Sequence, residues 1–200
     1  MKKKIVSLAL AVCLIAIAAV GTLAYFTDKT ETKVNTFTFG NVNITLTEPE
    51  WKQPETVQPG QTYAKDPTIT NVGANDAWVR MDVTVSDWAA FKALAVKYAD
   101  MNDLTNMFKG FKSSEWTLAG VTENGNDTAT YAYYYNTKLA KNATATLFES
   151  VAIPSYLTAA DMNTLQGSFD ISVTAYAVQA EGFDTAAAAF ADVTTFETID

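Results

Sequence analysis

The rhythm of apolar and polar positions divides the chain into blocks. Ile5–Val20 is apolar except for Ser7. From Thr36 to Thr47 the pattern alternates, with Phe37, Phe39, Val42, Ile44 and Leu46 apolar. A phase slip at Gly40-Asn41 reads as a bulge in a strand. Tyr63–Asn71 reads as a second strand, with Pro67 at an edge position because proline cannot donate to a ladder. Ala77–Ser86 reads as a third, with Val79, Met81, Val83 and Val85 on its inward face. Asn71–Asp76 between them reads as a turn at positive φ, which Asn, Gly and Asp tolerate.

After Ser86 the period changes. Trp88, Phe91, Leu94, Ala95 and Tyr98 recur at helical spacing, with Ser86 or Asp87 as cap. Leu104, Met107, Phe108 and Phe111 continue it in a second short helix, so a helical insertion is expected near 87–111. Strands are expected again over Ser114–Leu118, Thr128–Asn136, Ala143–Ile153 and Ser168–Gln179. A turn is expected at Glu123–Asp127, a short helix capped near Thr158 over Ser155–Gln166, and an alanine-rich helix over Thr185–Ala191. Glu48–Gly60, with Pro49, Pro54 and Pro59, is a connection in which Trp51 lids one edge of the core. Tyr131, Tyr133 and Tyr135 share one strand face, which suits cross-strand packing better than a sugar platform. These elements make an antiparallel β-sandwich with short helical insertions over residues 41–200.

The first 24 residues differ in kind. Lys2, Lys3 and Lys4 precede the apolar run, and Gly21-Thr22-Leu23-Ala24 ends it. A basic start, an apolar middle and a small-residue exit make a secretory signal. Thr22 and Ala24 supply the small-x-small site, so cleavage is expected before Tyr25. The alternative is an uncleaved anchor: Ile5–Phe26 is 22 residues, close to the ~20 that span a bilayer. A lipobox reading of Leu10–Cys13 fails on Val12, where a small residue is needed.

Charge narrows the function. Residues 1–24 hold three of the 14 basic residues and no acidic one, so the remaining 176 carry 11 basic against 22 acidic and a net −11. Such a chain, without a basic run, is unsuited to nucleic acid or to anionic membrane surfaces. The signal is its one expected membrane contact. Cys13, the only cysteine, lies within the signal, so the mature chain has neither disulfide nor thiolate ligand. There is no histidine at all, which removes the commonest general base and zinc ligand. His-Glu-x-x-His is impossible, and no Ser-x-x-Lys or phosphate-cradling glycine loop occurs. Asp100-Met101-Asn102-Asp103 faintly resembles a calcium loop but lacks its glycine and its twelfth-position glutamate. No catalytic residue, cofactor or metal site is expected.

The leader also carries a resemblance. A small-residue exit, then Tyr25-Phe26-Thr27-Asp28, then Phe37-Thr38-Phe39-Gly40 resembles the TasA/camelysin family, strongest over Gly21–Leu46 and extending to Val57–Val85. The resemblance implies a jelly-roll topology, secretion from a Gram-positive cell through a SipW-type signal peptidase, and fibre subunits of a biofilm matrix. It also implies that the segment after the cleavage site passes into the next subunit's sheet. Residues 25–40 suit that role. Within Tyr25–Val34, Tyr25, Phe26 and Val34 are too few apolar groups to bury a strand in their own domain, while Thr27, Thr30, Thr32 and Thr36 favour extended backbone. Phe26 would be the anchor. The bland alternative is an unpaired leader before the first strand. The camelysin branch implies a surface metallopeptidase instead, and a surface binding module is a third class.

Overall fold

The computed structural model describes residues 41–52, 56–165 and 170–192. Ten strands lie in it: β1 (Ile44–Thr47), β2 (Thr62–Ala64), β3 (Thr68–Asn71), β4 (Ala77–Val85), β5 (Phe108–Lys109), β6 (Trp116–Asn124), β7 (Thr128–Tyr135), β8 (Thr144–Thr146), β9 (Ser150–Ala152) and β10 (Ile171–Gln179). The helices are α1 (Trp88–Lys97), α2 (Ala159–Thr164) and α3 (Ala186–Asp192), with two 3-10 turns at Ala99–Asn102 and Leu104–Met107. One sheet has the order β10-β4-β7-β6, and two three-stranded ladders are β1-β3-β8 and β2-β9-β5, all antiparallel.

The two ladders are one bent sheet. Thr62 pairs with Ala152, and Thr70 with Thr144, in a single unbroken register. Across the bend Lys65 N–H donates to the Glu149 carbonyl at 3.2 Å, and Leu147 N–H to the Pro67 carbonyl at 3.1 Å. The strand expected over Tyr63–Asn71 is therefore real in its pairing, as is that over Ala143–Ile153. Pro67, however, marks the bend of an internal strand rather than an edge. With β2/β3 and β8/β9 joined, the sheets read β1, β2/β3, β8/β9, β5 against β10, β4, β7, β6, the strand order of a jelly roll.

Between the sheets lies the core. Ile69, Val79, Met81, Val83, Val85, Tyr133, Leu147 and Phe148 are fully buried in it. Alternation does what the sequence requires: inward β4 residues are buried, while the bent sheet's outward face is Thr45, Thr70 and Thr144 beside Thr47, Thr68 and Thr146. Tyr131 and Tyr133 are core residues, and half-buried Tyr135 packs on Trp116 at 5.1 Å, so the row serves packing. At the hairpin between β6 and β7, Asp127 adopts φ 56°, as three-residue loops ending in the left-handed region do.

Other details depart from expectation. Phe108 is not helical. It pairs with Val151 and stacks on Phe148 at 4.1 Å, ending the insertion in β5. Edge strand β6 starts at Trp116 and runs to Asn124 rather than stopping at Leu118. The Asn71–Asp76 turn contains no positive φ among its residues. Gly73 is needed there for space: a Cβ would meet Asn41 O and Asn43 N at 2.7 Å. Asp87 is the N-cap residue of α1 by position, but the capping carboxylate is Asp127, which accepts from Ala89 N–H at 2.8 Å. Strand β4 is buried on both faces. Trp78 lies under Ala186, Ala189 and Phe190 of α3, which makes a third layer over the four-stranded sheet. Arg80 and Asp82 pair there at 2.7 Å, and burial still pushes the Asp82 carboxyl above its usual range despite the guanidinium.

The strand phase has a direct test. Val83 is fully buried, whereas Thr84 faces outward and shares a hydroxyl bond with Thr130 at 2.9 Å. An unpartnered carboxylate at position 83 costs several kcal/mol, by an order-of-magnitude rule. Val83→Asp is expected to abolish the folded circular dichroism spectrum or block secretion, and Thr84→Asp to be mild. Equal tolerance of the two would show the phase to be wrong.

Candidate functional site

Thr22, Ala24, Tyr25, Phe26 and Val34, the residues expected to carry processing and assembly, lie outside the described residues. The described residues hold what such a segment would meet. Strand β10 pairs with β4 along all nine residues, and among the described strands its other edge has no partner. Its inward side chains, Ile171, Val173, Ala175 and Ala177, face the core but are only half-buried. Their partners across the pair, Val85, Val83, Met81 and Val79, are fully buried. The difference comes from position, since β10 is the edge of its sheet. On the opposite sheet the edge strand β1 repeats this, with Ile44 and Leu46 half-buried. The seam between β1 and β10 is thus lined from both sides by incompletely covered apolar groups.

At Ile171 the seam meets a cavity of about 540 Å³. Its walls include Phe91, Met101, Val151, Ile153 and Leu165. Such a volume is in the range of ligand pockets, and methionines let the wall adapt. Trp51 stands in the wall, in keeping with its expected place over a core edge. Lys65 packs over its ring at 4.9 Å and bonds Glu48 at 2.7 Å, so this buried ammonium is neutralised locally. No pattern in the sequence announces Lys65 as an inward residue.

Helix α2 closes one side of the cavity through Met162 and Asn163. It begins with a capping box: Asp161 N–H donates to Thr158 Oγ1, and Thr158 N–H donates to the Asp161 carboxylate at 2.9 Å. That Thr158-x-x-Asp161 spacing is legible in the sequence. The same carboxylate accepts from Lys97 Nζ at 2.7 Å and from the Tyr98 hydroxyl at 2.9 Å. It therefore pins α2 to the end of α1. Lys97 first, then Thr158, with Tyr98 adding less, hold the Asp161 carboxyl well below the usual carboxylate range.

Asp100 and Asp103 serve local structure. Asp103 accepts from Thr105 N–H at 2.9 Å, and the Asp100 carbonyl accepts from Asn106 Nδ2 at 2.9 Å.

Residues 1–90 match the camelysin metallo-endopeptidase family. The resemblance to the TasA/camelysin family therefore stands over the leader, β1–β4 and the first residues of α1. None of the curated proteins matches the chain. The family's description implies a metal, and this chain lacks the commonest ligand for one. It has no histidine, and among the described residues no group of three or more cysteine or carboxylate side chains comes together. Among those residues, no helix is long and apolar enough to cross a membrane.

Acid provides the test of the α2 anchor. The folded Asp161 carboxyl titrates below its unfolded value of about 4. Its contribution to stability is therefore complete above that pH and lost as pH falls toward the folded value. Asp161→Asn should lower the urea midpoint at pH 7 and shrink the difference between midpoints at pH 7 and pH 3. An unchanged difference would mean that Asp161 does not couple the helices to pH.

Proposed function

We propose that this chain is a secreted structural protein, a biofilm-matrix or surface-fibre subunit that assembles by strand exchange. In this reading a SipW-type signal peptidase cuts before Tyr25, and Tyr25–Thr36 of one copy lies in the β1–β10 seam of the next. The observation that carries it is the half-covered row Ile171, Val173, Ala175 and Ala177 on a strand whose outer edge has no hydrogen-bonded partner among the described strands. An added strand gains main-chain hydrogen bonds along that edge, and its alternate side chains fill the gaps. Phe26 is the one aromatic side chain of the segment besides Tyr25, and the cavity at Ile171 suits such an anchor. A head-to-tail contact of this kind propagates instead of closing.

The mature chain should form filaments under electron microscopy, whereas a chain beginning at Thr36 should stay folded and monomeric. Identical behaviour of the two would sink strand donation.

The family's printed description favours a second reading, a surface metallopeptidase. The lack of histidine weighs against it, because a zinc site and its general base would have to be built without one. Purified mature protein is expected to leave casein intact with or without added zinc. Chelator-sensitive cleavage by a contaminant-free sample would reverse the preference.

A further inference from the structure

Strand β4 carries a polar atom that the described residues leave incomplete. Asp82 is 9% exposed, and Arg80 donates to its Oδ2 at 2.7 Å. Its Oδ1 is buried and has no hydrogen-bond partner among the described residues. Buried polar atoms are nearly always bonded, so this one points to a partner outside them. Asp82 alternates with the inward Met81 and Val83, which puts it on the outer face of the four-stranded sheet. Its neighbours in the same row are Thr174 on β10, Ala132 on β7 and, beyond Ala132, Gly120 on β6. A Cβ at Gly120 would meet nothing within 4 Å. Small residues thus make an open floor beside a buried carboxylate.

Helix α3 leads to this floor. The carbonyl of Phe183, just before the helix, accepts from Trp78 Nε1 at 3.2 Å. Phe190, near the helix end, lies with the Arg80 guanidinium over its ring at 5.5 Å and stacks on Tyr134 at 5.4 Å. Tyr134 is the β7 partner of Arg80. The helix therefore advances along β4 from Trp78 to Arg80 while drifting toward β7. The next row in its path is that of Asp82 and Ala132. The helix stops at Asp192.

We propose that residues 193–200 dock on this floor, with a hydroxyl of Thr194 or Thr195 donating to Asp82 Oδ1. Those two threonines are the first hydroxyl donors after α3. Eight residues reach up to about 26 Å when extended, far more than the three residues of β4 that lie beyond Asp82. The donor needs no charge, because Arg80 already neutralises the carboxylate. Phe196 and Ile199 supply apolar cover for Ala132 and Gly120. Tethering to α3 holds the segment at high effective concentration over the site. The inference is independent of strand donation, since it occupies a face of the sheet and not an edge.

The test uses the chain from Tyr25 onward, which has no cysteine. Ala132→Cys puts a thiol in the floor. With residues 193–200 native, it should react with a thiol reagent roughly tenfold or more slowly than with those residues replaced by glycine and serine, because labelling then waits on local opening. Thr144→Cys, exposed on the other sheet, should react alike in both chains. Changing Thr194 and Thr195 together to valine should release the protection, and changing both to serine should keep it, with circular dichroism unchanged. Equal reactivity of Ala132→Cys beside the native and the glycine–serine segments, or protection that survives the valine pair, would overturn the docking.

Discussion

A single antiparallel pairing, β2/β3 against β8/β9, carries the bent sheet, and Asn71 closes its end. The Asn71 side chain is fully buried, with its amide Nδ2 donating to the carbonyls of Asn75 at 2.8 Å and Leu139 at 2.9 Å. Its Oδ1 accepts from Gly73 N–H at 3.0 Å. Buried backbone groups left without partners cost about 1–3 kcal/mol each, so this one amide fixes the turn between β3 and β4. The turn in turn holds β1. Val72 and Gly73 N–H both donate to the Asn43 carbonyl, and Gly73 has no Cβ to force the strands apart. Placement of β1, and so of one wall of the seam, follows from Asn71.

The four-stranded sheet is organised differently. Its inner face shares the sandwich core, and its outer face is roofed by α3. Ring stacking of Phe190 on Tyr134 at 5.4 Å ties that roof to β7, and the Arg80 guanidinium, over Phe190 at 5.5 Å and over Tyr176 at 4.8 Å, ties it to β4 and β10. Strand β4 thus has no solvent face at its N-terminal half, which explains why Trp78 and Arg80 occur where an ordinary sandwich strand would carry small polar residues. Its C-terminal half reverts to the usual pattern at Thr84.

Local pattern made some of this legible and hid the rest. Strand β4, the inward valines, the Thr158 cap and the jelly-roll-like class can be read from spacing or from the family resemblance. The role of Pro67 cannot, because whether a strand is internal depends on a partner about eighty residues away. Phe108 fits a helical period equally well, and only its contact with Phe148 and Val151 decides for a strand. Gly73 looks like a positive-φ residue because turns commonly use glycine so, whereas the close approach of Asn41 and Asn43 demands it here. At the candidate site the same limit applies. The sequence shows a segment with too few apolar residues to stand alone, but half-coverage of Val173 or Ala175 arises from strand order. Lys65 and Asp161 are read inward only once α1, α2 and the bend are in place.

Edges are the remaining problem for a sandwich that does not close on itself. Natural sheets usually blunt them with lysine, proline or a covering helix. This chain covers the broad face of its four-stranded sheet with α3, and among the described strands neither β10 nor β6 has a hydrogen-bonded partner on its outer edge. Cys13 is the one cysteine, so no disulfide within the chain offsets that exposure. An uncovered edge is then a site where a further strand adds apolar burial and hydrogen bonds together. Uniform negative charge opposes unspecific stacking of such edges, since it acts between any two copies in any orientation. An unpaired edge thus favours contact along a strand, while the acidic balance of the chain disfavours unspecific contact between copies.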